Sequence, residues 1–265
     1  MTRAEKILLL GARVGVFAAA AVPLFWSGSF FFPYTFTKTF LFRTFVELAF
    51  LFWLPLAAAF PAWRPRAGRM LWVLAALYLL GWVSALLGPN LQGSFWSDYE
   101  RMMGLLTYSH FLVFFLIAIS VFHEERQWER IFLFSLGVSG LIALYGMWQK
   151  IAFGLGRIES TFGNAAFLAS YLLIHIFIAL VVLARERRVN SKSAFAAAVW
   201  AVNIAALVFT GTRGALLGLL AGGAVGLFLL VFSQEERPFF SLSAGRVRVG
   251  ARVRLGVFLA LLIAF

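Results

Sequence analysis

Apolar residues along this chain form repeated long runs that are separated by short polar segments. The long runs cover approximately residues 7–26, 39–60, 70–87, 103–122, 131–153, 165–183, 194–209 and 214–232, and a shorter run covers 255–265. A helix of about 20 apolar residues crosses a hydrocarbon core of roughly 30 Å. The pattern therefore predicts an all-α, polytopic integral membrane protein with about eight complete transmembrane helices plus a truncated ninth.

The last apolar run bears on the extent of the protein. It stops at Phe265 after about half a membrane span. We therefore expect that the natural chain continues, and that residues 1–265 form a single transmembrane helical domain of a longer protein. The basic N-terminus before the first run also fits a signal peptide. The apolar run continues to Trp26, however, and this favours a first membrane span.

Composition limits the chemistry that the chain can perform. Hydrophobic residues make up 62% of the sequence, and the mean hydropathy is +0.90. The sequence has no cysteine, which excludes disulfides and thiolate metal sites. Its histidines, His110, His123 and His175, lack metal-ligand spacing, so we predict no metal and no cofactor. We expect His110 and His175, which lie within apolar runs, to form hydrogen bonds between helices.

The net charge of +12 is distributed in the way that membrane topology requires. Most of the 23 lysines and arginines lie at the N-terminus and in alternate loops, namely 61–69, 123–130, 184–193 and 233–254. Basic loops of this kind remain on the cytoplasmic side, so the N-terminus is predicted to be cytoplasmic. The same distribution argues against a nucleic-acid partner and in favour of contact with membrane lipids.

The opposite membrane face carries solitary cations that this bias does not explain. Arg101, Arg157 and Arg213 each occupy one of three consecutive external loops near a helix start. The planar guanidinium suits phosphate, and free N–H groups at a helix start also favour anions. Three such groups would suit a lipid-linked pyrophosphate. Contact with lipid headgroups is the alternative, and the residues alone leave both open. The external cations are Lys38, Arg43, Arg101, Lys150, Arg157 and Arg213.

Residue spacing also predicts contacts between or within helices. Arg43 and Glu47 lie four residues apart in the second run, so an ion pair is expected, with a polar cavity as the alternative. Asn203 is expected to form a hydrogen bond between helices. Glycines at four-residue spacing predict helix faces that allow close approach. These glycines are Gly11 and Gly15 in the first run, and Gly214, Gly218, Gly222 and Gly226 in the eighth.

Two ordered stretches resemble a known family. The segment "RIESTFGNAAFLASYLL" (157–173), a basic internal loop and then "TGTRGALLGLLAGG" (210–223) resemble the O-antigen ligase/polymerase superfamily of bacterial envelope enzymes. The segment "SFWSDYERMMGLLTY" (94–108) is similar to a stretch found in one branch of it. The resemblance covers roughly residues 90–232.

This resemblance implies a metal-independent, multi-spanning transferase in the bacterial inner membrane. Such enzymes transfer a glycan from undecaprenyl pyrophosphate to a glycan, lipid or protein acceptor on the periplasmic side. By position, Arg157 and Arg213 match arginines that bind the lipid-linked pyrophosphate, and Arg101 matches in one branch only. The family's general base is a histidine in an external loop, which we expect beyond Phe265. We therefore expect residues 1–265 alone to be inactive.

Two other classes of function remain compatible with the sequence. A transporter or flippase for a lipid-linked or anionic solute would also need arginines at helix ends. A structural membrane subunit could recruit partners through the basic internal loops, although the external arginines give it no support. Replacing Arg213 by lysine separates a planar pyrophosphate clamp from simple headgroup contact.

Overall fold

The computed structural model describes residues 1–66, 68–98, 100–186 and 189–232. Within these residues the chain is helical and contains no strand, which confirms the all-α class. The described α-helices are α1 (Arg3–Ala21), α2 (Thr35–Ala59), α3 (Arg69–Leu87), α4 (Leu91–Trp96), α5 (Leu105–Val121), α6 (Glu125–Phe153), α7 (Ala165–Arg185), α8 (Ser191–Phe209) and α9 (Arg213–Phe232).

Six of these helices are long and apolar enough to cross a membrane. They are α1 with the short turn that follows it, α2, α3, α6, α7 and α8. This is the architecture of a helical membrane protein. Helix α5 is apolar but has only 17 residues, and the described apolar part of α9 is similarly short. The count of eight complete spans thus stays a prediction, and the run 255–265 lies outside the described residues.

Several helices, among them α1, α2, α6 and α8, begin before the apolar runs that predict them. Helix α1 begins at Arg3 because Thr2 and Glu5 form a capping box, in which each side chain accepts the other's backbone N–H at 3.1 Å. Helix α6 begins at Glu125, and its first turns contain glutamate, arginine and glutamine, which favour helix. Short helix α4 lies in a segment that hydropathy assigned to a loop.

The chain divides into two compact units, Met1–Ile131 and Phe132–Phe265. In the first unit α1 packs along α2, and α5 packs against α1, α2 and α3. Gly15 permits the close approach of α1 to α2, because a Cβ at that position would lie 2.6 Å from the Ala49 Cβ. Gly11 has the same role against the Phe52 ring. The predicted glycine face of the first run is thereby confirmed.

In the second unit α7 packs against α8 and α9. Gly218 and Gly222 lie against α7, where an added Cβ would be 3.1 Å from Leu173 Cδ2 and 2.5 Å from Phe177 Cζ respectively. An added Cβ at Gly214 or Gly226 meets no described atom within 4 Å. Only the middle of the predicted glycine face of α9, at Gly218 and Gly222, therefore packs against α7.

Candidate functional site

The loop from residue 154 to residue 164 positions Arg157 in the second unit. Ile158 anchors this loop, since its side chain is fully buried and its N–H donates to the Phe209 carbonyl at 3.2 Å. Buried Ser160 has a φ of +51° and donates its hydroxyl to the Ile142 carbonyl at 2.6 Å. A non-glycine residue in this backbone region is uncommon and is held by its surroundings. The loop therefore has two tertiary anchors directly after its exposed arginine.

Arg157 bonds directly to the turn between α8 and α9, residues 210–212. Its Nε donates to the Thr210 carbonyl at 2.7 Å, and its Nη2 donates to the Thr212 hydroxyl at 3.1 Å. The Thr212 hydroxyl in turn donates to the Ala165 carbonyl at the start of α7, at 3.4 Å. The guanidinium is therefore oriented by two bonds that reach across more than 50 residues of sequence.

The turn itself has the chemistry that a sharp reversal requires. Gly211 has a φ of +61°, which only glycine adopts without strain, and its N–H donates to the Val208 carbonyl. Thr210 is fully buried, donates its hydroxyl to the Leu207 carbonyl and accepts the Thr212 N–H. These bonds fix the residues that immediately precede α9.

Arg213 is the first residue of α9 and follows Thr212 directly. It is exposed, and its guanidinium forms no hydrogen bond within the described part of the chain. Because Arg157 bonds to Thr212, the structure brings the two predicted arginines to the same turn. Of the pair, Arg157 is oriented by the protein, whereas Arg213 projects from the helix start with its donors free among the described residues.

Lys150 is a further cation at this turn that the sequence did not place in the site. It lies in the last turn of α6, where Nζ donates to the Leu155 and Gly156 carbonyls at 3.0 and 3.3 Å. The same Nζ lies 5.4 Å from the centre of the Phe209 ring. The sequence feature that could have indicated Lys150 is its position near the end of a helix, just before the loop that carries Arg157. We define Lys150, Arg157 and Arg213 as the cation cluster.

Arg101 belongs to the first unit, not to the unit that holds the cation cluster. It is exposed, and its backbone N–H donates to the Asp98 carboxylate at 2.6 Å. The next residue, Met102, has a φ of +51° and accepts a hydrogen bond from Arg43 through its carbonyl. Asp98 and Arg43 thus hold the turn backbone around Arg101 without engaging its guanidinium.

Arg43 and Glu47 do not form the expected ion pair, because each side chain bonds to a different partner. Arg43 donates to the Met102 carbonyl and to the Thr107 hydroxyl, both outside its own helix. Glu47 instead lies 3.0 Å from His110, measured from Oε1 to Nε2. Glu47 and His110 line a cavity between α2 and α5, but its other lining residues are mainly apolar, so it is not the polar cavity of the alternative expectation.

The other histidines have structural contacts of their own. His175 on α7 and Ser135 on α6 form a hydrogen bond of 2.8 Å, and His110 bonds from α5 to α2, so both expected contacts between helices are confirmed. His123 stacks on Trp63 with ring centres 5.1 Å apart. Burial and the charge of Arg66 lower the pKa of His123. The expected general-base histidine lies outside the described residues.

Asn203 likewise forms the expected contact between helices. Its side chain is fully buried, and Nδ2 donates to the Ser139 hydroxyl of α6 at 3.0 Å. Polar contacts of this kind stabilise helix association where no water can compete for the donor. Asn203 thereby joins α8 to α6 within the second unit.

The arrangement around the α8–α9 turn can bind an anion. Within the described ranges, none of the three cations of the cluster forms an ion pair with a carboxylate. Guanidinium groups with unused N–H donors favour phosphate oxygens, and lysine adds a point charge. Among the described residues, no group of three or more His, Cys, Asp and Glu could hold a metal ion.

No family model, curated protein or solved structure matches this chain.

Proposed function

We propose that the chain is a membrane glycosyltransferase of the O-antigen ligase type, acting without a metal in a bacterial inner membrane. It transfers a glycan from undecaprenyl pyrophosphate to an acceptor on the periplasmic side, and its N-terminus is cytoplasmic. The observation that carries the proposal is the attachment of Arg157 to the turn that begins α9, directly before Arg213. The family resemblance of residues 157–173 and 210–223 gives independent support.

In this proposal the cation cluster binds the pyrophosphate of the donor. Arg157 uses Nε and one Nη2 hydrogen on the turn, so the rest of its fork remains available to phosphate oxygens. Arg213 and Lys150 add two more positive charges. When the bond between sugar and phosphate breaks, negative charge develops on the leaving undecaprenyl pyrophosphate. Oriented cations stabilise this charge, and a cluster already held by the fold needs little reorganisation.

The acceptor side of the reaction requires further residues. The acceptor hydroxyl of a glycan or lipid, or a protein side chain, must lose a proton as it attacks the sugar carbon. In the family that the chain resembles, a histidine takes up this proton as general base. Arg101, in the first unit, is a candidate for phosphate binding on the basis of the resemblance alone.

A transfer assay on the full protein in native membranes tests the proposal. Membranes are supplied with undecaprenyl-pyrophosphate-linked glycan, and the covalent glycan–acceptor product is measured together with released undecaprenyl pyrophosphate. Arg213→Lys is expected to remove most product, because lysine keeps the charge but loses the planar fork. The matched control is Arg64→Lys. Arg64 also donates from Nε and Nη2 to backbone carbonyls, but it lies in a loop predicted to be cytoplasmic.

Two results would overturn the proposal. One is a transfer rate of Arg213→Lys equal to that of Arg64→Lys and of the unmodified protein. The other is loss of transfer upon chelation of divalent metals, which a metal-independent reaction should survive.

A transporter or flippase for a lipid-linked or anionic solute is the second candidate. One observation favours it, namely that Glu47, in the middle of the span formed by α2, contacts His110 of α5. Ionisable side chains at membrane depth often mark transport pathways. The two functions differ in their product, because a flippase moves the intact donor across the membrane and forms no glycan–acceptor bond. The transfer assay, run beside an assay for donor accessibility on each membrane face, separates them.

A further inference from the structure

Glu47 and His110 form a contact within the apolar helices of the first unit that pyrophosphate binding does not use. Glu47 is the middle residue of the 25-residue helix α2, and His110 lies in the second turn of α5. Oε1 of Glu47 and Nε2 of His110 are 3.0 Å apart. A carboxylate at the centre of a membrane span is costly and is therefore a candidate functional residue.

The hydrogen bond of the second ring nitrogen, Nδ1, determines how many protons the contact between His110 and Glu47 holds. Nδ1 lies 2.7 Å from the Leu106 carbonyl oxygen, which can only accept, so the hydrogen-bond geometry assigns a hydrogen to Nδ1. In a neutral imidazole, Nε2 is then an acceptor, and an ionised carboxylate is also an acceptor. Two acceptors do not form a hydrogen bond. The contact with Glu47 therefore requires one additional proton, carried either by Nε2 or by the carboxyl group.

The cavity beside the pair offers it few other polar partners. A cavity of about 410 Å³ adjoins the pair, and its other lining residues are apolar apart from Ser109. The Ser109 hydroxyl is already engaged by Tyr78 and by the Leu105 carbonyl. With the proton the pair is net neutral, whichever of the two groups carries it.

The two arginines within the packed helices use their hydrogen bonds on other groups, although Arg43 also interacts electrostatically with Glu47. Arg13 of α1 donates to the Val121 carbonyl, and Arg43, one turn before Glu47, donates to the Met102 carbonyl. Helix α4 contains no ionisable side chain. We consider α5 and, on the helices packed against α2 and α5, the residues after the first two turns. Besides the pair, the ionisable side chains there are Arg13, Arg43, Tyr78 and Tyr108.

We propose that Glu47 and His110 form a proton-binding site, which holds one proton between Oε1 and Nε2 and exchanges it through the adjoining cavity. The side chain of Glu47 is 64% exposed and that of His110 is 12% exposed, so the carboxyl group is the accessible end of the site. Release of the proton leaves two facing acceptors, and the two side chains then separate. The site lies in the first unit and does not depend on the pyrophosphate assignment.

His175 is a matched internal control for this proposal. Its Nδ1 also lies close to the carbonyl four residues earlier, at 2.8 Å from the Tyr171 oxygen. Its Nε2, however, faces the Ser135 hydroxyl, which can donate to a neutral ring without any additional proton. The two histidines thus share the same local geometry and differ in the partner of Nε2.

The experiment uses the full protein in lipid nanodiscs, labelled with ¹⁵N-histidine, at neutral pH and then at increasing pH. Nitrogen NMR detects a hydrogen on Nε2, and infrared spectroscopy detects a protonated carboxyl group. We expect the additional proton of the Glu47 and His110 pair in one of the two signals, and its loss as the pH rises. His175 should have a bare Nε2 throughout.

Glu47→Gln keeps the shape of the side chain, and its amide can donate to a neutral His110. We expect this variant to remove the additional-proton signal while the protein stays folded. The proposal is overturned if the unmodified protein at neutral pH has neither a hydrogen on His110 Nε2 nor a carboxyl signal that Glu47→Gln removes. It is also overturned if the additional-proton signal, on nitrogen or on the carboxyl group, does not decrease as the pH rises.

Discussion

Replacing Arg157 by lysine tests whether pyrophosphate binding depends on an oriented guanidinium or only on positive charge. In the structure Nε and Nη2 bond to two different residues of the α8–α9 turn, Thr210 and Thr212. The single nitrogen of lysine has no planar fork with which to keep both bonds and also bind phosphate. The substitution keeps the charge, so any loss of affinity reports on orientation.

The expected magnitude follows from the bonds that are lost. A hydrogen bond to a charged group is worth about 1.5–3 kcal/mol. Arg157 is exposed, so the lower limit applies, and about 1.5 kcal/mol corresponds to roughly a tenfold loss of affinity. Thr212→Val removes the hydroxyl that accepts from Nη2 but leaves the bond to the Thr210 carbonyl. We expect it to weaken binding by a smaller factor.

The assay is calorimetric titration of the detergent-solubilised protein with a short-chain polyprenyl pyrophosphate, at fixed ionic strength. Arg64→Lys serves as the control for loss of a guanidinium elsewhere. The double variant of Arg157→Lys and Thr212→Val should bind about as weakly as Arg157→Lys alone, because both changes disrupt one network. The reasoning is refuted if Arg157→Lys binds within twofold of the unmodified protein, or if the two substitutions contribute additively.

Two further predictions concern helix packing at glycine and the protonation of His123. Gly15→Ala should destabilise the protein by about 1–3 kcal/mol, since its Cβ would lie 2.6 Å from the Ala49 Cβ, whereas Gly214→Ala should change stability by no more than about 1 kcal/mol. Unfolding in detergent measures both, and equal effects would contradict the packing. The pKa of His123 is lowered by burial, so the unfolded chain binds the proton more readily. Stability should therefore fall as pH decreases below about 6.5. Thermal melts at pH 7.5 and 5.5 should show this fall, and His123→Asn should diminish it.

The apolar runs were sufficient to predict the helical class, because helix length and hydropathy follow from local sequence. Helix limits were less accurate, since hydropathy does not register a charged helix start such as that of α6. The spacing of Gly218 and Gly222 correctly predicted a close helix face, but sequence could not specify which part of the face is covered. The division into two units has no equivalent in the hydropathy pattern.

The candidate site depended more strongly on tertiary structure. Arg157 and Arg213 are 56 residues apart in sequence and meet at one turn only because the chain folds back through α7 and α8. Lys150 was missed because helix-end cations are common in any membrane protein. Arg43 and Glu47 were paired on the basis of helical spacing, which considers only one helix. In the structure α5 and the turn before it supply better partners to both residues.

The central claim is that a lipid-linked pyrophosphate binds at the cation cluster. The most direct test is photo-crosslinking of the full protein in membranes with a polyprenyl pyrophosphate analogue that carries a photoreactive group next to the phosphates, followed by peptide mass spectrometry. The account predicts labelling within residues 150–164 and 209–214, competed by excess unlabelled analogue and reduced in Arg213→Lys. Labelling confined to other segments, or unchanged by Arg213→Lys, would contradict it.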